Sequence, residues 1–138
     1  MFSAGVAGAL PCIDIQRLSP AGSRNSGASV SNAGDVNGDG YDDLIIGEPD
    51  GAAFPSAGAA GRSYVVYGSS NNTTPINLAD IASGSGGFVI NGGNGSDFSG
   101  NSVASAGDVN GDGLADLIVG APKNSAAGTY AGRSYVVF

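Results

Sequence analysis

The chain has 138 residues, of which twelve are acidic, five are basic and none is histidine, so its formal net charge is −7. An acidic surface of this kind excludes the basic patch that nucleic acid requires, and it gives no basic anchor on an anionic membrane. No histidine base is available to activate a serine or cysteine nucleophile, and the single Cys12 cannot form an internal disulfide. We therefore predict a protein that is not an enzyme and does not insert into a membrane.

Short apolar runs between glycine-rich stretches predict β-strands along the whole chain. The predicted strands cover residues 12–18, 28–34, 43–47, 62–67 and 87–91. One helical turn is predicted at residues 76–81, and helical periodicity is weak elsewhere. The fold class is therefore predicted to be all-β.

Two nine-residue loops, residues 35–43 and 108–116, share the pattern Asp-x-Asn-x-Asp-Gly-x-x-Asp. Oxygen-bearing side chains at alternate positions around a glycine are what Ca²⁺ needs from a tight turn. Each loop is predicted to bind one Ca²⁺ through four side chains and the backbone carbonyl of its seventh residue. The predicted metal ligands are Asp35, Asn37, Asp39, Tyr41 and Asp43 in the first loop, and Asp108, Asn110, Asp112, Leu114 and Asp116 in the second. Because the three carboxylates of a loop repel one another, metal binding and loop folding should be coupled.

Other structures also contain acidic loops. Asp, Asn and Gly are common in ordinary turns, but two copies with identical spacing disfavour that explanation. An EF-hand requires a bidentate Glu at its twelfth position, where this chain has Ile46 and Val119. A dockerin-type loop continues into an amphipathic helix, whereas these loops continue into short apolar runs that end at Gly47 and Gly120. Those runs predict strands.

The loops belong to a longer internal repeat. The offset is 73 residues between the loops and 71 between the Gly-Arg-Ser-Tyr segments at 61–67 and 132–138. Repeat one is predicted at approximately 23–95 and repeat two at approximately 96–138, within a single segment covering 1–138. The apolar strands do not alternate with polar residues and helices are few, so other sheets must cover both faces. Four-stranded β-propeller blades provide such cover.

Several segments of the second repeat form a distinctive set: Phe98-Ser-Gly100, Ser102-Val103, the loop 108–116, Gly120-Ala-Pro122 and Tyr135-Val-Val-Phe138. With them the chain resembles the FG-GAP repeats of the integrin α-subunit propeller and of bacterial surface proteins. The first repeat departs from the pattern with Asn25-Ser-Gly27 and Gly47-Glu-Pro49. The resemblance implies that the calcium loop joins the first two strands of a blade. It also implies a propeller that serves cell adhesion and ligand binding outside the cell.

Two blades cannot close a ring, because propellers have about four to eight. Strand 12–18 precedes the first repeat, and the second repeat ends on its third strand, which gives two four-stranded blades in permuted order. Strand 12–18 of one copy would then complete the last blade of another, and a homo-trimer or homo-tetramer would close a six- or eight-bladed ring. The alternative is that the segment belongs to a longer multi-repeat chain.

These features together predict an extracellular calcium-binding β-propeller module with Ca²⁺ in a structural role and an unidentified protein or glycan ligand. The alternative is a calcium-stiffened structural spacer, or a non-catalytic domain appended to a secreted enzyme. We expect the export signal to lie outside this chain.

Overall fold

The computed structural model describes residues 13–16, 25–50, 60–71 and 74–138, and β-strands dominate this part of the chain. The strands are β1 (Ile15–Gln16), β2 (Ser29–Gly34), β3 (Asp43–Glu48), β4 (Arg62–Val66), β5 (Ile76–Asn77), β6 (Gly87–Asn91), β7 (Ser102–Gly107), β8 (Asp116–Ala121) and β9 (Arg133–Val137). Helix α1 (Leu78–Ala82) lies between β5 and β6. The predicted all-β class is confirmed.

Seven of these nine strands form two antiparallel sheets with the same internal register, and β1 and β5 form a separate parallel pair. Blade 1 has the strand order β2-β3-β4-β6, and blade 2 has the order β7-β8-β9. Ser29 lies opposite Gly47 in blade 1, as Ser102 lies opposite Gly120 in blade 2. The acidic loops join β2 to β3 and β7 to β8, which is the position that the FG-GAP resemblance implies.

A β-bulge precedes each acidic loop. The register shifts between Asn32 and Gly34 in β2, and between Ser105 and Gly107 in β7. Both glycines have φ of 72°, a left-handed conformation that a β-carbon disfavours. At Gly34 an added Cβ would also lie 2.6 Å from the Cβ of Ala115 in blade 2. The bulge thus turns the chain into the loop and lets the blades approach closely.

The main core lies between the two blades. We call A the face of each sheet that carries Ile45 in blade 1 and Ile118 in blade 2, and B the opposite face. Ile45 and Val65 on the A face of blade 1 are fully buried against Leu117 and Val119 on the B face of blade 2. Contact is most extensive between the first strands, β2 and β7. Packing of apolar side chains between sheets therefore joins the two repeats.

The B face of blade 1 is covered by a different element. Leu78 and Ile81 of α1 are buried against Ile46, Tyr64 and Val66. Helix α1 begins after its N-cap Asn77, whose side chain accepts a hydrogen bond from the Ala79 N–H at 3.0 Å. Strand β4 is therefore covered on both faces, as its unbroken apolar sequence predicts.

Three details differ from the sequence-based expectation. The described part of the predicted strand 12–18 contains only the two-residue strand β1, and residues 12, 17 and 18 lie outside the described residues. Strand β1 pairs in parallel with β5 of the same chain, because Ile15 and Ile76 extend the apolar cluster under α1. The predicted strands were also expected to be covered on both faces, but Leu44, Ile118 and Val136 are exposed. Completion of another copy's blade by strand 12–18 remains a prediction.

A short segment between β6 and β7, residues 98–100, closes the junction between the blades, and we call it the crossing segment. Ser99 forms a parallel bridge with Gly61, and its N–H donates to the Ala60 carbonyl at 3.1 Å. A Cβ at Gly47 would lie 2.0 Å from the carbonyl oxygen of Gly100, and one at Gly61 would lie 2.1 Å from that of Ser99. These two glycines leave the space that the crossing segment fills.

Replacing Gly47 with alanine should therefore destabilise the chain. We expect Gly47→Ala to lower the free energy of unfolding by about 1–3 kcal/mol in urea denaturation, as overpacking does. Gly120→Ala is the matched control, because its Cβ meets at 2.3 Å only the side-chain oxygen of Ser102, which can rotate away. Equal losses in the two variants would contradict the role of the crossing segment.

Candidate metal centre

The first acidic loop is wound around the carboxylate of Asp35. Its Oδ1 accepts hydrogen bonds from the N–H groups of Gly38 at 2.7 Å and Asp39 at 3.1 Å, and its Oδ2 accepts one from Gly40 at 2.9 Å. Gly38 and Gly40 have φ of 76° and 88°. The turn is tight because one carboxylate collects successive backbone donors and the glycines permit the left-handed backbone.

The third and fifth positions of this loop are joined to each other. Asn37 Nδ2 donates to Asp39 Oδ2 at 2.9 Å, and Asn37 Oδ1 accepts from the Asp39 N–H at 3.0 Å. Asp39 Oδ1 in turn accepts from the Tyr41 N–H at 2.9 Å. The structure therefore brings these two predicted ligands within hydrogen-bond distance of each other on an exposed turn.

The second loop reproduces the first. Asp108 accepts from the N–H groups of Gly111, Asp112 and Gly113 at 2.6, 3.0 and 2.9 Å. Asn110 Nδ2 donates to Asp112 Oδ2 at 2.9 Å, and Asp112 Oδ1 accepts from the Leu114 N–H at 2.8 Å. The pattern persists although Tyr-Asp in the first loop is Leu-Ala in the second, so it depends on the shared residues.

The ninth position of each loop lies in the core and not on the exposed turn. Asp43 and Asp116 are almost completely buried at the start of β3 and β8. Asp43 Oδ2 accepts from the Val36 N–H at 2.9 Å and Oδ1 from the Gly68 N–H at 2.8 Å. Asp116 Oδ2 accepts from the Val109 N–H at 2.7 Å. These hydrogen bonds compensate the cost of burying a carboxylate and fasten each loop to its sheet.

The loops contain the oxygen ligands of a calcium site, but their acidic side chains are not gathered around one point. Carboxylate, amide and carbonyl oxygens within one turn are hard ligands of the kind Ca²⁺ prefers, so the residues present fit the ion. Both loops lie wholly within the described residues, where no three acidic side chains gather into a group that could hold a metal. The seventh residues, Tyr41 and Leu114, are exposed beside the fifth positions. Calcium binding stays a prediction.

Sequence reasoning missed two contacts that position the first loop. The Gly68 N–H reaches Asp43 from 25 residues away, after β4. The Ala115 N–H donates to the Asp35 carbonyl oxygen at 3.0 Å and links the first loop to blade 2. Hydrogen bonds donated by backbone N–H groups cannot be inferred from the pattern of side chains. The one sequence signal at these positions is the Ala-Gly pair that precedes each loop.

The geometry described above defines a class of protein. Two antiparallel sheets with equal register pack face to face, and each has the same acidic loop between its first two strands. This is a protein built of repeated β-blades. The family model of the FG-GAP repeat matches residues 26–66 and 99–137, which together make up more than half of the chain. The chain belongs to the FG-GAP repeat family.

Curated relatives match most of the chain but only a small part of their own length. Phosphatidylinositol-glycan-specific phospholipase D of Mus musculus is 37% identical over 110 residues, which cover 79% of this chain and 12% of the mouse protein. The proteins of the same name from Rattus norvegicus and Bos taurus are 39% and 40% identical, over 79% and 75% of this chain and 13% and 12% of their own lengths. No helix among the described residues is long and apolar enough to span a membrane.

The buried ninth position should stabilise the fold without any metal. Asp43→Ala leaves the Val36 and Gly68 N–H groups without their acceptor, so we expect a loss of about 2 kcal/mol or more in free energy of unfolding. The measurement is urea denaturation in a chelator. Asp42→Ala is the neighbouring exposed control and should change stability by less than about 0.5 kcal/mol. A similar loss in both variants would show that burial is not the cause.

The carboxylate of Asp112 should titrate at low pH. The Leu114 N–H and then the Asn110 amide hold its pKa below the usual range. The stabilisation that comes from ionised Asp112 is therefore complete above the ordinary carboxyl pKa and is lost as pH falls through the lowered one. We expect carboxyl-carbon NMR titration in a chelator to give a higher midpoint in Asn110→Ala than in the wild type. An unchanged midpoint would exclude the amide as a cause.

Proposed function

We propose that the chain is a calcium-binding module whose two acidic loops each hold one Ca²⁺ ion in a structural role. The observation that supports this most directly is the identical hydrogen-bond pattern of the loops, which holds the side chains of the first, third and fifth positions on one exposed turn. The proposed ligands are Asp35, Asn37, Asp39, Asp43 and the carbonyl of Tyr41, and in the second loop Asp108, Asn110, Asp112, Asp116 and the carbonyl of Leu114.

Ca²⁺ would supply positive charge where each loop concentrates three carboxylates. Six of the twelve acidic residues are proposed ligands, and two ions would change the net charge from −7 to about −3. Because the ninth position is buried and the fifth is exposed in both loops, ligation of both would tie the turn to the sheet. The hydrogen bond from Ala115 to the Asp35 carbonyl would pass this stiffening on to the junction between the blades.

We further propose that the module acts outside the cell and binds a protein or glycan ligand. FG-GAP membership supports this setting. Calcium loops of extracellular modules typically bind in the range of about 10⁻⁴ to 10⁻³ M, where the ion is abundant. The acidic composition favours neither nucleic acid nor an anionic membrane as the partner.

The second candidate is a non-catalytic domain appended to a secreted enzyme, or a calcium-stiffened spacer within one. The observation that favours it is the name and coverage of the relatives: they are phospholipases D, and the matched region makes up only 12–13% of their length. On this proposal catalysis belongs to other parts of such a protein. A glycan and matrix-protein binding screen separates the candidates, because an appended spacer should bind none of them.

Removing one carboxylate from a loop should remove one calcium site. We expect isothermal calorimetry to find two sites in the wild type and one in Asp39→Ala or Asp112→Ala, because each change removes the fifth-position ligand of one loop. Asp50→Ala is the control, since Asp50 lies outside both loops and accepts a hydrogen bond from Asn25. Two sites surviving in Asp112→Ala would refute the ligand assignment.

A further inference from the structure

The chain contains four Asn-Gly pairs, at residues 37–38, 91–92, 94–95 and 110–111. In such a pair the backbone nitrogen of the glycine attacks the side-chain carbonyl of the asparagine, because glycine has no side chain to hinder the approach. A cyclic succinimide forms and ammonia leaves. All four asparagines are exposed to solvent, so exposure does not decide which of them reacts. The hydrogen bond of each glycine N–H does.

The pairs in the two acidic loops are protected by the first aspartate of each loop. The Gly38 N–H donates to Asp35 Oδ1 at 2.7 Å, and the Gly111 N–H donates to Asp108 Oδ1 at 2.6 Å. Ionised acceptors make these hydrogen bonds strong. Each bond must break before the glycine nitrogen loses its proton and attacks, so both pairs should react slowly.

The same two carboxylates protect a second reactive pair in each loop. Aspartate followed by glycine forms the same succinimide with loss of water, and each loop has such a pair directly after Asn-Gly. The Gly40 N–H donates to Asp35 Oδ2 and the Gly113 N–H donates to Asp108 Oδ2, both at 2.9 Å. One carboxylate therefore engages both reactive nitrogens of its loop.

The pair at the end of β6 is protected by the backbone. The Gly92 N–H donates to the Gly61 carbonyl at 2.9 Å. A Cβ at Gly92 would lie 2.0 Å from the carbonyl oxygen of Ala60, so this part of the chain is closely packed. Asn91 itself is paired with Arg62 in the sheet. Formation of a succinimide there requires local opening of the end of β6.

The pair Asn94-Gly95 lacks such protection. Within the described part of the chain, the Gly95 N–H has no hydrogen-bond acceptor and the Asn94 side-chain amide has no partner. The Asn94 backbone is nevertheless held in a turn. Its N–H donates to Asp97 Oδ2 at 3.2 Å, and its carbonyl accepts from the Asp97 N–H at 3.3 Å. The turn thus keeps the asparagine in place and leaves the reactive nitrogen open to solvent.

We propose that Asn94 is a modification site, at which this chain undergoes deamidation. The Gly95 nitrogen loses its proton to hydroxide and bonds to Asn94 Cγ, the Cγ–Nδ2 bond breaks, and the amide nitrogen leaves as ammonia. Water then opens the succinimide at either carbonyl. Addition at the side-chain carbonyl gives aspartate, and addition at the backbone carbonyl gives isoaspartate, whose main chain runs through Cγ. Water and hydroxide are the only co-reactants.

Isoaspartate at position 94 would disturb a buried network beside the crossing segment. Asp97 is 3% exposed, and its carboxylate also accepts from Asn124 Nδ2 at 2.8 Å. The Asp97 carbonyl accepts from the Lys123 N–H at 3.3 Å, and the Lys123 ammonium lies 4.0 Å from the centre of the Phe98 ring. Because the main chain of isoaspartate is longer, the turn loses its two hydrogen bonds to Asp97. The modification therefore weakens the junction between the blades.

Peptide mapping by mass spectrometry tests the proposal, after incubation of the whole chain at mildly alkaline pH in a chelator. We expect Asn94 to deamidate at least about tenfold faster than Asn37 and Asn110 of the same molecule, because their glycine hydrogen bonds to ionised carboxylates must first open. Labelling by an isoaspartyl methyltransferase should locate isoaspartate at position 94. A rate at Asn94 no higher than at the other three pairs overturns the proposal.

The same incubation in concentrated urea separates structure from sequence. In the unfolded chain no glycine N–H is held by a carboxylate, so the four pairs should react at similar rates. If the excess at Asn94 is as large in urea as in the folded chain, the neighbouring residues cause it and the structural explanation is overturned. Calcium is absent from both incubations, so the outcome does not depend on the proposed calcium sites.

Asp108→Ala tests the protection directly. It removes the acceptor of the Gly111 N–H, so Asn110 should deamidate at a rate close to that of Asn94. Asn37 keeps its Asp35 and should stay slow, which shows that the fold is intact. Continued protection of Asn110 in this variant overturns the role of Asp108.

Gly95→Ala tests the reaction itself, because a methyl group beside the attacking nitrogen should abolish the fast modification at Asn94. Unchanged modification in this variant overturns the mechanism. The isoaspartate fraction, separated from unmodified chain by ion exchange, should unfold at a lower urea concentration than Asn94→Asp. That variant has the added charge without the longer main chain. Equal stability of the two would overturn the effect on the junction.

Discussion

Strand β4 carries Tyr64, Val65 and Val66 in succession, so it directs apolar side chains to both faces of its sheet. A sheet of this kind is stable in water only if something covers each face. In blade 1 the B face of blade 2 covers one side, and α1 with the β1–β5 pair covers the other. The arrangement of blades, helix and short strands in the described residues follows from this requirement.

Close approach of the sheets also explains the glycines and the acidic loops. The blades meet at their first strands, β2 and β7. There Gly34, the bulge glycine of β2, faces Ala115, and Gly47 of β3 faces the crossing segment. Each acidic loop begins at such a bulge and ends on a buried aspartate. The acidic loops and the interface between the blades therefore share residues. A change in the conformational order of one loop would alter the packing between the blades.

The sequence predicted the features that depend on local spacing: the four strands of blade 1, the two loops and the repeat. It did not reveal that Asp43 and Asp116 are buried, because an aspartate that accepts backbone N–H groups has the same spacing as one that faces solvent. It also did not predict β5, since a strand of two residues has no period. The run Tyr-Val-Val occurs in β4 and β9, yet Val65 is buried and Val136 is exposed. Burial of that kind depends on which surface lies beside the strand, and no local pattern records it.

At the corner that precedes the first strand of each blade, the two repeats differ at two positions together. Phe98 and Lys123 in the second repeat correspond to Asn25 and Asp50 in the first. An aromatic ring under an ammonium group in one repeat is replaced by an amide bonded to a carboxylate in the other, while the backbone is unchanged. Exchange of a single member would set a carboxylate against the electron-rich face of a ring, or remove the carboxylate that accepts the amide hydrogen bond. In this chain the two positions therefore form one exchangeable unit, so the effects of substitutions at them should be coupled and not additive.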